Sequence, residues 1–524
     1  MSAKDYDVVI IGAGIAGMGA AALLTRDFGK KALVVERAPF VGGRAVSFVG
    51  KGKKVTVDGL ELDANGLKQA LGHTRTFISS TYPDLDTIFE QGLLDGYTFE
   101  AGGHGLFWGN KGRVRFLLDH LGEPVELPVN TGFGFVDHAR DDKMHQVAPR
   151  QAYPWMTQEG YEKTLAALRD MAAATFEDMA RLMRTSLADW LGPKNLHPEA
   201  YDYIKVLASS QTAQAEPAMT PAGDFLGYMA IARPIGMNLI TGSVATVDEP
   251  GAIAIPKAME KVLLAHGGEV RRSTTVDHVV VENGRATGVA VRANGRLHTV
   301  TADAVICTIP SKHIFSVLPR APFPADWVET LEQKFWGAGL LSAYIGLKRD
   351  IWKEKGIDER SFVYMPGVIR GEGYVGDVDI VIWGMGACAR RAPQGKRTFE
   401  FSIALTDKEM RDPQKVKRVT DWCDHWFRET FPTWKEDMEF CIWTPSPEAY
   451  GLWRPIGMDR PDVKSPWVEG LYFAGDQYGR RLWGGGIDGA SLCAVMCVDS
   501  MMGTKLEDDI FPWFHRGIPD VGLL

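Results

Sequence analysis

Apolar runs and helical stripes alternate along this chain in an order that predicts strands and helices from its first residues onward. Residues 7–11, Asp-Val-Val-Ile-Ile, form a short apolar run bounded by Gly12, the pattern of a buried strand. The stretch after it is small on the side that must meet a sheet, at Ala16, Gly17, Gly19 and Ala20, which predicts a helix packed close to that strand. A second apolar run at 32–35 predicts a second strand ending in Glu36. Near the other end, 471–474 reads as a further buried strand and about 488–502 as a helix. Two long stretches separate these pieces, at roughly 68–250 and 311–466. The first is helix-rich: within 160–184, Leu165, Leu168, Met171, Phe176, Met179, Leu182 and Met183 recur at helical spacing, the stripe of a core-facing surface. The second mixes strands at 340–347, 380–385 and 398–405 with a helix over 413–431. No fixed-period repeat, low-complexity segment or flexible linker interrupts this order.

The turn between the first strand and helix is Gly12-Ala13-Gly14-Ile15-Ala16-Gly17. In that context Gly12 permits a tight turn, Gly14 lets backbone approach a pyrophosphate, and Gly17 lets the helix lie close on the strand. The helix N-terminus offers N–H groups and partial positive charge to phosphates. Glu36 stands 19 residues beyond Gly17, where a carboxylate suits the hydroxyls of an adenosine ribose and disfavours a 2′-phosphate. The fingerprint alone leaves NAD and FAD open.

Val41-Gly42-Gly43-Arg44 follows, and near the C-terminus Gly470-Leu471-Tyr472-Phe473-Ala474-Gly475-Asp476 precedes Trp483-Gly484-Gly485-Gly486-Ile487-Asp488-Gly489-Ala490. With these segments the chain resembles the flavin amine oxidase and phytoene desaturase superfamily, closest in look to the phytoene desaturase and carotenoid isomerase branch. Matching motifs lie near 7–67, 252–310 and 468–502. The resemblance implies FAD as cofactor and an α/β fold. A Rossmann-like FAD-binding domain would be assembled from the discontinuous segments 1–67, 252–310 and 467–505. An inserted mixed α+β substrate domain would comprise 68–251 and 311–466, with a tail at 506–524. It implies a helix before Gly267, a strand at about Glu269, and a covering meander at 279–282, 286–293 and 297–301. The implied cofactor contacts are Gly12, Gly14, Ile15, Ala16, Gly17, Glu36, Arg37, Gly43, Arg44, Gly66, Leu67, Val276, Gly475, Asp476, Gly485, Gly486, Ile487 and Ala490. Arg44 would face the diphosphate, Val276 would meet the adenine through backbone, and Gly475-Asp476 would reach the ribityl chain. The C-terminal helix would point its N-terminus at the pyrimidine side of the flavin.

Composition changes this picture little. Charged residues at 24% and hydrophobic ones at 45% are those of an ordinary globular protein. The net charge of −8 argues against a nucleic-acid partner. The chain begins Met-Ser-Ala-Lys-Asp and enters its first strand at once, predicting no signal peptide, and no apolar run reaches the ~18 residues of a membrane span. The 6 cysteines lack CxxC spacing, and Cys493 and Cys497 fit core packing better than a disulfide. A cytoplasmic protein is expected. No metal-ligand cluster and no Ser-His-Asp spacing stands out.

The resemblance implies hydride transfer at the isoalloxazine, so the protein must position a substrate carbon and exclude competitors. No second GxGxxG opens a helix, since Gly384-Met385-Gly386 lacks the last glycine, and a dedicated NAD(P)H site is not expected. Amine oxidases of the superfamily usually carry an aromatic residue just before the C-terminal helix and a Lys on a strand after the crossover. Here Gly486 and Leu341 fall at those places. Both substitutions favour an apolar, possibly isoprenoid or lipid-like substrate and a desaturase, saturase or redox-neutral isomerase. Amine oxidation to imine and hydrogen peroxide is the alternative. An external electron acceptor, quinone or oxygen, is implied. No catalytic side chain is assigned; the candidates are Arg480, Arg481, Asp488 and His104, with Asp488 otherwise a cap. Tyr228, Arg233, Leu341 and Trp483 are expected in the substrate pocket. The aromatic tail at 510–515 leaves three contacts open: a membrane surface, a second subunit of a homo-oligomer, or its own domain.

Overall fold

The first apolar run becomes the strand Tyr6–Ile11, the small-faced stretch the helix Ile15–Phe28, and the second run the strand Ala32–Val35. The computed structural model describes residues 4–102, 105–106, 109–129, 132–136, 144–146, 156–212, 217–232, 247–248, 250–293, 295–334, 338–355, 361–368, 379–385, 391–450, 455–479 and 485–511. Val8, Val9 and Ile10 are wholly buried, as expected of a central parallel strand covered on both faces.

Five strands lie parallel in the order Glu269–Arg271, Ala32–Val35, Tyr6–Ile11, Arg296–Cys307, Leu471–Phe473. They come from three separated stretches of chain. The long strand Arg296–Cys307 does two jobs. Its second half runs beside Tyr6–Ile11, with Ala302 opposite Tyr6 and Cys307 opposite Ile11. Its first half pairs antiparallel with Arg285–Ala293, which pairs in turn with Thr275–Glu282, the expected meander. Helices Ile15–Phe28 and Gly486–Met502 pack together where a Cβ on Gly19 would lie 3.2 Å from that of Ala494.

An eight-stranded second sheet runs Ser80–Tyr82, Met438–Tyr450, Ala338–Leu347, Arg397–Leu405, Asp379–Met385, Ser361–Val368, Gly132–Val136, Met144–Gln146. One face of it packs on the helix Pro413–Thr430, where Phe399, Phe401 and Trp443 meet Trp426 and Phe427. A third, four-stranded sheet joins Ser47–Lys51 to Thr98–Glu100. The stripe at 160–184 is one core surface but two helices, Gln158–Ala173 and Phe176–Leu182. Thr175 breaks it: its side chain accepts from Asp178 N at 3.1 Å while Asp178 accepts from Thr175 N at 3.1 Å, a capping box. Of the tail, Ile510 and Phe511 are buried in the main core and 512–515 lie outside the described residues. Among the described residues no helix is long and apolar enough to cross a membrane.

A buried polar knot ties the sheets together. Glu100 Oε1 lies 2.5 Å from Arg391 Nη2 and accepts from Ala252 N at 3.1 Å, while its other oxygen bonds Ser47 Oγ. Arg391 Nε donates to Val247 O at 2.8 Å, and Ile253 N donates to Ser47 Oγ at 3.1 Å. Arg391→Met leaves the fully buried Glu100 without that cation and should destabilise the protein by about 3–5 kcal/mol in denaturant titrations. A loss near zero would contradict a supporting role for the knot.

Candidate active site

A cavity of about 460 Å³ opens along the carboxyl ends of the parallel strands, where an α/β sheet commonly takes its ligand. Its floor is the glycine turn. Gly12 has φ +105°, a backbone that L side chains rarely adopt, and its missing Cβ would stand 2.5 Å from Thr308 Oγ1. Gly17 does not line the cavity; it lets the helix approach, since a Cβ there would lie 2.1 Å from Gly12 O. Gly14 is different. Its φ of −79° suits any residue, and its Cβ would meet no atom closer than 4.0 Å, because the space beyond is cavity. Ile15 and Ala16 complete the floor at the start of a helix whose cap, Gly14, contributes no side-chain hydrogen bond.

Glu36 lines one end. It is 9% exposed, and its two oxygens accept from Ala13 N and Ala38 N, each at 2.8 Å. Burial pushes its carboxyl up against those donors. Arg37 lies beside it and donates to His73 O at 2.5 Å, and Val276 lines the same end. Next along the wall, Gly42 N donates to Ala13 O at 2.9 Å, which holds the Gly42-Gly43-Arg44 turn against the glycine floor. Arg44 Nη2 reaches Asp476 Oδ1 at 2.9 Å and Nη1 reaches Glu448 O at 3.2 Å. Asp476 Oδ2 accepts from Gly486 N at 3.2 Å. The far end is built from Gly475, Asp476, Gly485, Gly486, Ile487, Asp488 and Ala490. The helix Gly486–Met502 starts two residues before the expected position, and its glycine cap also lacks a side-chain bond.

Asp488 is engaged chiefly through one carboxylate oxygen. Its Oδ1 accepts from Arg113 N and Val114 N at 2.5 and 3.3 Å, capping the helix Arg113–Leu121, and Oδ2 lies 3.5 Å from Arg113 Nη1. Burial pushes its carboxyl up, with Arg113 opposing. That makes it an anchor between two helices.

Three expectations are corrected. Gly66 and Leu67 do not line the cavity: Gly66 N donates to Asp63 Oδ1 at 2.8 Å in a capped helix start, and Leu67 is buried with Phe40 and Phe48. Leu341 packs in the core beneath the helix Pro413–Thr430 because strand alternation turns it away, while its neighbour Leu340 faces the main core. His104, Arg233, Arg480, Arg481 and Trp483 lie outside the described residues, as does the side chain of Tyr228.

The cavity also holds residues that no motif announces: Ala101, Leu106, Thr76, Ser446, Arg75 and Glu448. Thr76 and Ser446 share a 2.7 Å hydrogen bond between their hydroxyls. Glu448 Oε2 lies 2.6 Å from both Arg75 Nη1 and His313 Nε2, and Oε1 lies 3.3 Å from Arg411 Nη2. Burial opposes the charge on Glu448, but His313 and Arg75 outweigh it and hold the carboxyl at about 2.

Comparison with known proteins fits this geometry. Residues 87–501 match the family of flavin containing amine oxidoreductases, and 10–63 match an NAD(P)-binding Rossmann-like domain. The chain is similar to a phytoene desaturase (neurosporene-forming) of Rhodobacter capsulatus, at 34% identity over 110 residues, 20% of each chain. It is also similar to the inactive all-trans-retinol 13,14-reductase of Danio rerio, at 25% identity over 355 residues, 65% of this chain and 54% of that one. The chain thus spans from a fifth to about half the length of these relatives. Among solved structures, an oxidoreductase from Methanosarcina mazei superposes with TM-score 0.63 at 16% identity, covering 95% of this chain and 100% of that one. A putrescine oxidase bound to putrescine gives TM-score 0.60 at 15% identity, covering 95% and 99%. These two likenesses concern the fold. The chain belongs to the flavin containing amine oxidoreductase family and is an FAD-dependent oxidoreductase.

Proposed function

We propose that the cavity holds FAD and that the protein acts on C–C or C=C bonds of an apolar, isoprenoid or lipid-like substrate, as a desaturase, saturase or redox-neutral isomerase. The observation that carries the placement is the pair of glycine-preceded helix N-termini, at Gly14 and Gly485, that open on one cavity, the second with Asp476 on its first amide. One such terminus suits a diphosphate and the other a ring that gains negative charge on reduction. When bound, the isoalloxazine supplies the hydride acceptor or donor.

The chain's own residues then have distinct tasks. Glu36 is held by two backbone amides with lone pairs left for ribose hydroxyls. Gly14 leaves room for a phosphate where a side chain would intrude. Arg44, between Asp476 and the carbonyl of Glu448, offers a planar fork to the diphosphate. Ala101, Leu106 and Ile487 provide apolar wall that excludes water.

The similarity to a phytoene desaturase supports the carbon–carbon reading. Amine oxidation is the second reading, favoured by the likeness to putrescine oxidase. Against it, Gly486 stands where an aromatic cage residue is expected. A shift of one residue around Leu341 meets only Leu340 or Ser342, never Lys. An external acceptor, quinone or oxygen, completes the turnover.

Two measurements check this. Gly14→Val should leave the apoprotein folded by circular dichroism yet weaken FAD binding by about tenfold or more; undiminished binding would remove FAD from this cavity. The anaerobically reduced protein should reoxidise slowly in oxygen and faster with a quinone. Rapid reoxidation with hydrogen peroxide would favour the amine oxidase.

A further inference from the structure

The carboxylate of Glu448 has no part in that assignment, yet Glu448 lines the cavity wall. Four basic side chains surround this one residue: Arg75, His313 and Arg411 at its carboxylate and Arg44 at its carbonyl. They come from four segments distant in sequence. Glu448 itself belongs to the strand Met438–Tyr450 of the second sheet, which brings that sheet to the cofactor cavity.

Arg75 is the unusual member. It follows the helix Ala64–His73 with φ +62°, a left-handed backbone that strains a residue with a Cβ. Glycine would sit there without strain, so a local structural need does not explain an arginine. Its surroundings are also crowded with like charge. Burial together with Arg37 and Arg44 pulls the guanidinium below its usual value, against the pull of Glu448. Arg37, on the same wall, forms no ion pair among the described residues. Arg37, Arg44 and Arg75 share this wall with Glu36, Glu448 and Asp476, and the wall is continuous with the helix N-terminus at Gly14.

We propose that Arg75 is a second guanidinium for the cofactor's diphosphate, beside Arg44, and that Glu448 is its positioning residue, so that the second sheet clasps the cofactor. The assignment rests on FAD occupying this cavity. A dianion would quench the repulsion among the three arginines, and a guanidinium matches phosphate oxygens two at a time. Removing Arg75 leaves Glu448 still paired with His313 and Arg411, so the carboxylate is not orphaned.

The experiment is a fluorescence titration of apoprotein with FAD at several salt concentrations, beside thermal melts of the apoprotein. Arg75→Gly should raise the FAD Kd about tenfold to a hundredfold and flatten its salt dependence, while the apoprotein melts no lower than wild type. Arg75→Lys should recover part of the affinity, and Glu448→Gln should fall between Arg75→Gly and wild type. Wild-type affinity in Arg75→Gly, or a melting loss that tracks the lost affinity, overturns the assignment. Gly14→Val separates the two levels. If it loses FAD while Arg75→Gly does not, the cavity stands and Arg75 is wrong; if it keeps FAD, the cavity and Arg75 fall together.

Discussion

The parallel register between Tyr6–Ile11 and the second half of Arg296–Cys307 is the constraint on which the site depends. It sets Cys307 beside Ile11, so both strands end together, and Thr308 Oγ1 donates to Ile11 O at 2.6 Å across the gap. Leu471–Phe473 continues the same edge, with Phe473 opposite Cys307. Gly12, Thr308 and Gly475 therefore emerge side by side from three remote parts of the chain. Any slip of one residue would turn Val8, Val9 and Ile10 to the wrong faces and separate those ends.

Electrostatics then distinguishes one helix terminus from another. The helices beginning at Ala64, Leu85, Gln158, Phe176 and Leu187 are closed by the side chains of Asp63, Asp84, Thr157, Thr175 and Ser186. Those at Ile15 and Gly486 are preceded by glycine and face the cavity, the second with Asp476 Oδ2 on Gly486 N at 3.2 Å. The helix Arg113–Leu121, also preceded by glycine, borrows Asp488 from across the fold. Both glycine-preceded termini open on the cavity, and the one at Ile15 offers its N–H groups to an anion there.

Much of this was legible because its signals are local. Strand, glycine turn, small-faced helix and the acid ending the next strand all lie within residues 7–36, and the register of each is carried by neighbours. Gly66 and Leu67 misled because a helix start resembles a ligand site until Asp63, three residues before Gly66, is seen to close it. Leu341 misled because one step along a strand exchanges the two faces of a sheet. Arg75, Thr76, Ser446 and Glu448 left no trace. Their meeting depends on the antiparallel pairing of the strand Met438–Tyr450 with Ala338–Leu347 and on a turn after Ala64–His73, and no local pattern encodes either.

The position of the flavin in a crystal structure of the FAD-loaded protein tests the central claim most directly. The account predicts the adenosine hydroxyls at Glu36, the diphosphate over Gly14 and Ile15, and the isoalloxazine at Ile487 where the Gly486–Met502 helix begins. A flavin bound in the reverse direction, or outside this cavity, would contradict it.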